Sequence, residues 1–428
     1  VTLLAAMRFN SIAAWLSHLE SIHPANIELG LERIKRVYQS LNLNLSNSQV
    51  ILVGGTNGKG TTCGLLQHVL THHGYQVGCY NSPHMNDYRE RVTLNNQWFS
   101  ELEHCQAFEC VEQARGDISL TYFEMGTLAA LVLLAQAQPD FVILEVGLGG
   151  RLDATNIVDN DLAIVTTVAL DHMDWLGNTR EKIGFEKAGI MRHSGLAICG
   201  DLEPPQSLLD HANEQKVDLT CALTDYQWQK SNDVWQFTMA DKSFSDLPVP
   251  HMPLQNAATV LAALNKLNIV LDKKLLQQAL SSFSLAGRWQ VIARSPDVIL
   301  DVGHNVQAAE YIKQQLNAYL VNKPQAKVYA VVGILKDKAV EETVQVFADC
   351  FAHWYLCSTS GPRGSKAADL QQFLPQGISS SAHDSVVQAY QAARDKASPQ
   401  DIILVFGSFL VVSDILALEN QNSRVIEP

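Results

Sequence analysis

The chain is short of positive charge. It has 428 residues with 31 Lys and Arg against 44 Asp and Glu, a net charge of −13, and no basic run stands out. That argues against nucleic acid as a partner, because binding a phosphate backbone needs clustered Lys and Arg. Long apolar runs are missing too. The longest, residues 128–135, is too short to cross a bilayer, so no membrane partner is expected. The first residues are mildly apolar but lack a basic n-region and a cleavage site. The 8 cysteines form no Cys-x-x-Cys pair, which suits small core residues in a reducing compartment. A cytoplasmic location is expected. Disorder is excluded by 47% hydrophobic and only 18% charged residues. The length calls for more than one domain.

What is present starts with a strand that empties into a glycine-rich turn. Gln49-Val50-Ile51-Leu52-Val53 is followed by Gly54-Gly55-Thr56-Asn57-Gly58-Lys59-Gly60-Thr61-Thr62. Backbone N–H groups of such a turn point at an anion, Lys59 adds a point charge, and Thr61 or Thr62 can place a hydroxyl on Mg²⁺. Gly60 separates the lysine from the first threonine, unlike the ordinary P-loop sequence. Strands at 50–53, 76–80, 140–146, 162–168 and 195–199 alternate with helical patterns at 61–73, 122–137 and about 179–190, which predicts a parallel sheet covered by helices. Residues 11–20 and 29–41 also carry helical spacing. Residues 220–255, with Trp228, Trp235, Phe237 and Phe244 among polar residues, read as short antiparallel strands, and helices resume at 255–268 and 272–282. A second α/β series, with strands at 297–302, 327–333, 353–357 and 401–406, follows Leu285-Ala286-Gly287-Arg288.

Further groups fall where such sheets bind ligands, past the carboxyl ends of strands. Glu145 ends the run from Phe141 and is placed to hold Mg²⁺ beside phosphates; a structural acid capping the next turn is the plainer reading. The three glycines of 147–150 allow close backbone approach to a ligand. Asp171-His172 follows strand 162–168, and His172 is a metal-ligand or hydrogen-bonding candidate. Asp301 and His304 follow strand 297–302, with Asn305 an alternative N-cap for the next helix. Lys187, in Glu186-Lys187-Ala188-Gly189-Ile190, reads by spacing alone as a solvated helix residue.

Taken in order, these motifs with Ser82-Pro83-His84 and Leu120-Thr121-Tyr122-Phe123-Glu124 resemble the folylpolyglutamate synthase family, a branch of the Mur ligase superfamily, and most of all its bifunctional bacterial members. Cell-wall Mur ligases lack the glycine after the lysine, so Gly60 favours the folate branch. The resemblance implies an α/β chain. Residues 1–287 would form a P-loop-type, mostly parallel sheet domain with helices on both faces. Residues 288–428 would form a smaller Rossmann-like α/β domain closing over ATP and binding glutamate. It implies that Thr56, Asn57, Gly58, Lys59, Gly60 and Thr61 cradle ATP, with Asn256, Arg288, Asp301 and His304 contacting it elsewhere. Ser82, Glu145, His172 and Lys187 would serve a pair of Mg²⁺ ions; Lys187 matches a lysine that is carbamylated in the family. Lys59, His172 and Lys187 are the catalytic candidates, and a monovalent cation is a further cofactor candidate. Ser21, Ile22, His23, Thr121, Tyr122, Phe123, Glu124, Leu152, Asp153 and Ala154 match a pterin region. The implied activity adds L-glutamate to dihydropteroate and to reduced folates through an acyl phosphate, in a monomer. A cell-wall ligase and a nucleotide-dependent switch without ligase activity are the rivals. The Tyr122-Phe123 region counts against the first, and the joint presence of His172, Lys187 and the Asp301 cluster against the second.

Overall fold

The computed structural model describes residues 7–23, 28–240 and 242–426. The chain divides into two compact units between Phe283 and Ser284. Among the described residues no helix is long and apolar enough to cross a membrane.

The first unit is built on eight strands: β1 Gln49–Gly54, β2 Val77–Tyr80, β3 Val92–Leu94, β4 Gln97–Trp98, β5 Phe141–Glu145, β6 Leu162–Val165, β7 Leu196–Cys199 and β8 Asp218–Cys221. Their order is β4-β3-β2-β5-β1-β6-β7-β8. All neighbours are parallel except β3 with β2 and β4 with β3. β2, β5 and β6 are buried at every position, as a sheet covered on both faces requires. Val50 and Leu52 join a cluster with Leu128 and Leu131 of the helix Tyr122–Ala137. The helix Lys59–His72 packs on β1, β2 and β5 and against the helix Leu254–Lys266.

Register decides where the site lies. Val53 of β1 pairs with Glu145 of β5, and Gly54 with Val165 of β6. The carboxyl ends of the three central strands are therefore level, and the segments after them emerge together. Strand character expected through residue 168 stops at Val165. The next residues spend their hydrogen bonds on the glycine-rich turn instead: Thr166 Oγ1 donates to the carbonyl of Asn57 at 2.7 Å, and the Thr167 carbonyl accepts from Thr56 N–H at 2.7 Å.

The aromatic stretch after residue 220 forms a separate antiparallel sheet, in the order β11-β10-β9, of β9 Tyr226–Ser231, β10 Val234–Met239 and β11 Lys242–Pro248. Trp235 and Phe237 point inward from β10, and the Trp235 indole donates to the Pro248 carbonyl at 3.0 Å. The hairpin β3–β4 and the helix Glu101–Arg115 are elements that the sequence pattern did not suggest.

The second unit has six strands, β12 Gln290–Ala293, β13 Asp297–Asp301, β14 Val328–Val332, β15 His353–Cys357, β16 Ser380–His383 and β17 Ile402–Phe406, in the order β12-β13-β17-β14-β15-β16. Only β12 runs antiparallel to its neighbour. Gly303 lies just before the helix Val306–Leu320. A Cβ there would fall 2.7 Å from Ile312 and 3.1 Å from Ala308, so the packing of this helix favours the smaller residue. Asn305 caps that helix, its side chain accepting from Ala308 N–H at 3.1 Å.

Candidate active site

The turn after β1 is pinned from beneath and open at its helix end. Thr56 Oγ1 donates to the Ala169 carbonyl at 3.1 Å and accepts from Ala169 N–H at 3.0 Å, and Asn57 N–H donates to Thr167 Oγ1 at 3.0 Å. Gly55 and Gly58 have φ of +141° and +85°. A Cβ on Gly55 would lie 1.9 Å from Thr166 Oγ1, and one on Gly58 would lie 2.6 Å from Asn256 Nδ2. Both glycines are thus demanded by backbone conformation and by close approach. Gly55→Ala is expected to cost about 2 kcal/mol of stability, from the φ penalty plus the displaced threonine. Denaturant titration checks this; an unchanged midpoint would contradict it.

Gly58 is the N-cap of the helix Lys59–His72, whose first-turn N–H groups and dipole form an anion site. Lys59 Nζ folds over the turn and donates to the carbonyls of Gly55 at 3.0 Å and Thr56 at 3.1 Å. A Cβ on Gly60 would sit 3.6 Å from both Glu145 carboxylate oxygens, so that carboxylate lies against the start of the helix. Ser82 N–H donates to Glu145 Oε2 at 3.0 Å. The structure therefore brings the 56–61 turn, Ser82, Glu145 and Asn256 together.

Hard oxygen donors suit Mg²⁺ here. Glu145 and Ser82 face the turn, Thr61 is buried in the first helical turn, and Thr62 Oγ1 is buried with no hydrogen-bond partner among the described residues. No group of three or more His, Cys, Asp or Glu able to hold a metal occurs among the described residues. The donors fit an ion that shares its coordination with substrate phosphates and water rather than one held in an all-protein cage.

Lys187 lies on the helix Arg180–Ala188 and is only 3% exposed. The loop 147–153 packs on that helix: a Cβ on Gly150 would meet the Glu186 carbonyl at 2.7 Å, and Arg151 N–H donates to the same carbonyl at 2.7 Å. Burial, then the charge of Lys59, pushes the Lys187 ammonium down to about 7, with Asp171 and Asp153 pulling the other way. His172, in the left-handed region at φ 50°, donates its N–H to Asp171 Oδ1 at 2.8 Å. Asp153 is buried; its carboxylate accepts from Leu148 N–H at 2.8 Å and Thr155 Oγ1 at 2.7 Å, while burial raises its pKa.

The pterin candidates also gather. Ser119 Oγ donates to the Ile22 carbonyl at 3.1 Å, and His23 pairs with Glu28 at 3.2 Å. Ser21 is exposed just before them and donates Oγ to the His18 carbonyl at 2.6 Å. Thr121 and Glu124 form a capping box at the start of the helix Tyr122–Ala137. The Phe123 ring lies where a Cβ on Gly147 would be, 2.5 Å away. Leu152 is half-buried and Ala154 buried, on either side of Asp153. In the second unit, Asp301 accepts from Trp289 N–H at 2.9 Å and Gly303 N–H at 2.8 Å, with Arg288 and His304 acting on its charge. Arg288 also lies over the Phe409 ring at 5.2 Å.

Comparison with known proteins decides the family. The Mur ligase middle domain matches residues 53–265, and the Mur ligase glutamate ligase domain matches residues 287–409. The dihydrofolate synthase/folylpolyglutamate synthase of Escherichia coli is 45% identical over 405 residues, 95% of this chain and 94% of that protein. The chain belongs to the dihydrofolate synthase/folylpolyglutamate synthase family. The E. coli FolC structure in complex with DHPP and ADP superposes with a TM-score of 0.93 at 44% identity, covering 96% of this chain and 98% of that one. A bifunctional folylpolyglutamate synthase/dihydrofolate synthase with Mn, AMPPNP and L-glutamate bound gives 0.89 at 44% identity over 96% and 98%.

Several residues of this synthase-family site escaped sequence reasoning. Thr166 and Thr167 brace the phosphate turn but read as strand. Asp201 accepts from Val168 N–H at 2.6 Å and pairs with Arg180 at 2.8 Å, which anchors the segment leading to Asp171. Arg33 pairs with Glu124 at 3.1 Å. Each works through a contact distant in sequence. Arg33 falls in the helix expected at 29–41, but nothing in that pattern points it at Glu124.

Proposed function

We infer that the chain is an ATP-dependent ligase that adds L-glutamate to dihydropteroate, forming dihydrofolate, and to reduced folates, forming polyglutamates. The observation that carries this is the phosphate turn closed by Glu145 and Ser82, in a chain whose relatives catalyse this type of ligation. A carboxylate is a poor electrophile and must be activated. Its oxygen attacks the γ-phosphorus of ATP, ADP leaves, and an acyl phosphate results. The glutamate amine then attacks the acyl carbon, loses a proton, and inorganic phosphate leaves. The obstacle is repulsion between an anionic nucleophile and anionic ATP, so preorganised positive charge should dominate the acceleration. Lys59, released from the Gly55 and Thr56 carbonyls, supplies one such charge, and the helix N-terminus supplies N–H donors. Mg²⁺ held by Ser82 and Glu145 would screen the phosphates when bound.

Further roles follow the same reading. Lys187, lowered by burial to about 7 and so partly neutral at pH 7, can attack CO₂ through its Nζ lone pair and lose a proton to water. The resulting carbamate would be an anionic oxygen donor near Asp171, and with His172 it would serve a second ion. Arg288, Asp301, His304 and Asn256 contact the nucleotide, and the residues about Thr121–Glu124, Asp153 and Ile22 hold the pterin. The enzyme acts as a cytoplasmic monomer.

The test is release of ADP with and without each substrate. ADP, phosphate and a glutamyl amide are expected only when MgATP, L-glutamate and either dihydropteroate or tetrahydrofolate are all present. ADP release independent of acceptor and glutamate would instead indicate a nucleotide switch.

A further inference from the structure

Arg91 ends the short turn Tyr88–Arg91 and is 7% exposed. Buried guanidinium groups usually sit on carboxylates. Among the described residues Arg91 forms no such ion pair. It lies instead against aromatic groups, its carbon 5.3 Å from the Tyr88 ring centre and 5.6 Å from that of Tyr122, with Tyr80 beside it. Cation–π attraction offsets part of its burial cost. Gly126 leaves room for this packing; a Cβ there would meet the Tyr88 hydroxyl at 2.8 Å.

Among the described residues, the side-chain hydrogen bond that Arg91 gives away from these rings goes to a histidine. Its Nε donates to His84 Nδ1 at 2.9 Å. A guanidinium can only donate, so His84 Nδ1 must carry a lone pair, and the proton of the neutral ring sits on Nε2. That Nε2 has no protein acceptor among the described residues, and the side chain is only half-buried. The loop presenting it is fixed at several points. The Glu90 carboxylate accepts the N–H groups of Met85, Asn86 and Asp87, and Asn81 N–H donates to the Arg91 carbonyl at 2.8 Å. Ser82 N–H is held by Glu145. His84 therefore stands between the carboxylate at the phosphate turn and Tyr122 at the start of the pterin-region helix.

We propose that His84 is a substrate-binding donor, its Nε2–H hydrogen-bonding the carboxylate of the acceptor substrate, and that Arg91 is the positioning residue that fixes its tautomer and orientation. The proposal deepens the ligase reading and rests on it. An acceptor with its ring at Tyr122 and its carboxylate toward the ATP phosphates must pass this point. A neutral N–H suits the task. It orients an anionic oxygen without protonating it, so the lone pair that must attack phosphorus is preserved. Arg91 enforces that state by occupying Nδ1.

The test compares His84→Ala and His84→Gln with wild type, using dihydropteroate as the varied substrate and ATP and L-glutamate in excess. His84→Ala is expected to lower kcat/KM for dihydropteroate about 10- to 100-fold, the worth of a hydrogen bond to a charged group. KM for ATP and the thermal midpoint should stay near wild type. His84→Gln, which keeps an N–H donor, should recover part of the loss. In ¹⁵N-histidine spectra, His84 should carry its proton on Nε2 in wild type and exchange between tautomers in Arg91→Met. Unchanged acceptor kinetics in His84→Ala, or a proton found on Nδ1 in wild type, would overturn the proposal and leave the ligase reading intact. A wild-type enzyme that forms no glutamyl product would overturn both.

Discussion

Replacing Lys187 by alanine is expected to lower turnover about 10³-fold or more while the protein still folds. Lys187 is buried beside Asp153, Asp171 and Lys59, where an ordinary ammonium has little reason to be. As a carbamate it becomes an anion that offsets Lys59 and can help hold a metal; alanine removes that anion altogether. Supplying ¹³C-bicarbonate should give a carbamate carbon signal in wild type that the variant lacks, and near-normal turnover in the variant would sink the assignment. The unmodified lysine also makes a linkage prediction with a definite sign. Between about 7, its folded value, and the ordinary 10.5, the unfolded chain binds a proton that the folded chain does not, so stability rises with pH across that window. Below about pH 7 the burial penalty, on the order of 5 kcal/mol, is present in full. Denaturant titrations under CO₂-free conditions should show this rise in wild type and its loss in Lys187→Ala.

Glu145→Gln should be nearly as damaging, for a different reason. The amide keeps the shape, and its oxygen can still accept from Ser82 N–H, so the local fold is retained. What disappears is one negative charge against the phosphate turn, beside Gly60. Turnover is expected to fall about 10²- to 10³-fold, and the Mg²⁺ concentration giving half-maximal rate to rise. Magnesium titration of the steady-state rate measures both. A variant with wild-type magnesium dependence would show that Glu145 serves only to hold the Ser82 loop.

The contrast between these two residues shows what was legible in the chain. Glu145 ends an unbroken apolar run, and Val53, its neighbour in register, ends another, so pattern alone puts both at the carboxyl edge of a buried sheet. Lys187 sits in a helix where Glu181, Lys182 and Phe185 are exposed and only Ile183 among the apolar side chains marks a buried face. Its burial comes from the 147–153 loop folding over it, which no local pattern records. The helix Tyr122–Ala137 was legible to the residue because Thr121 and Glu124 mark its start and its interior is apolar. The helix Glu101–Arg115 carried the same signal, Ser100 with Glu103, but its charged surface hid the inward stripe of Cys105, Phe108 and Val111. At Thr166 and Thr167, β-branched residues favour strand, yet their hydroxyls and carbonyls found better use under the phosphate turn. Arg91 and His84 are seven positions apart in a loop and meet only because Glu90 gathers three N–H groups between them.

β1 is held between β5 and β6, whose partner segments lie far along the chain. The nucleotide cradle cannot exist until these strands have paired, since its walls come from segments distant in sequence. A half-assembled polypeptide is consequently blind to ATP, whereas each completed molecule gains free energy from binding it. Bound nucleotide therefore stabilises only chains whose central ladder has closed.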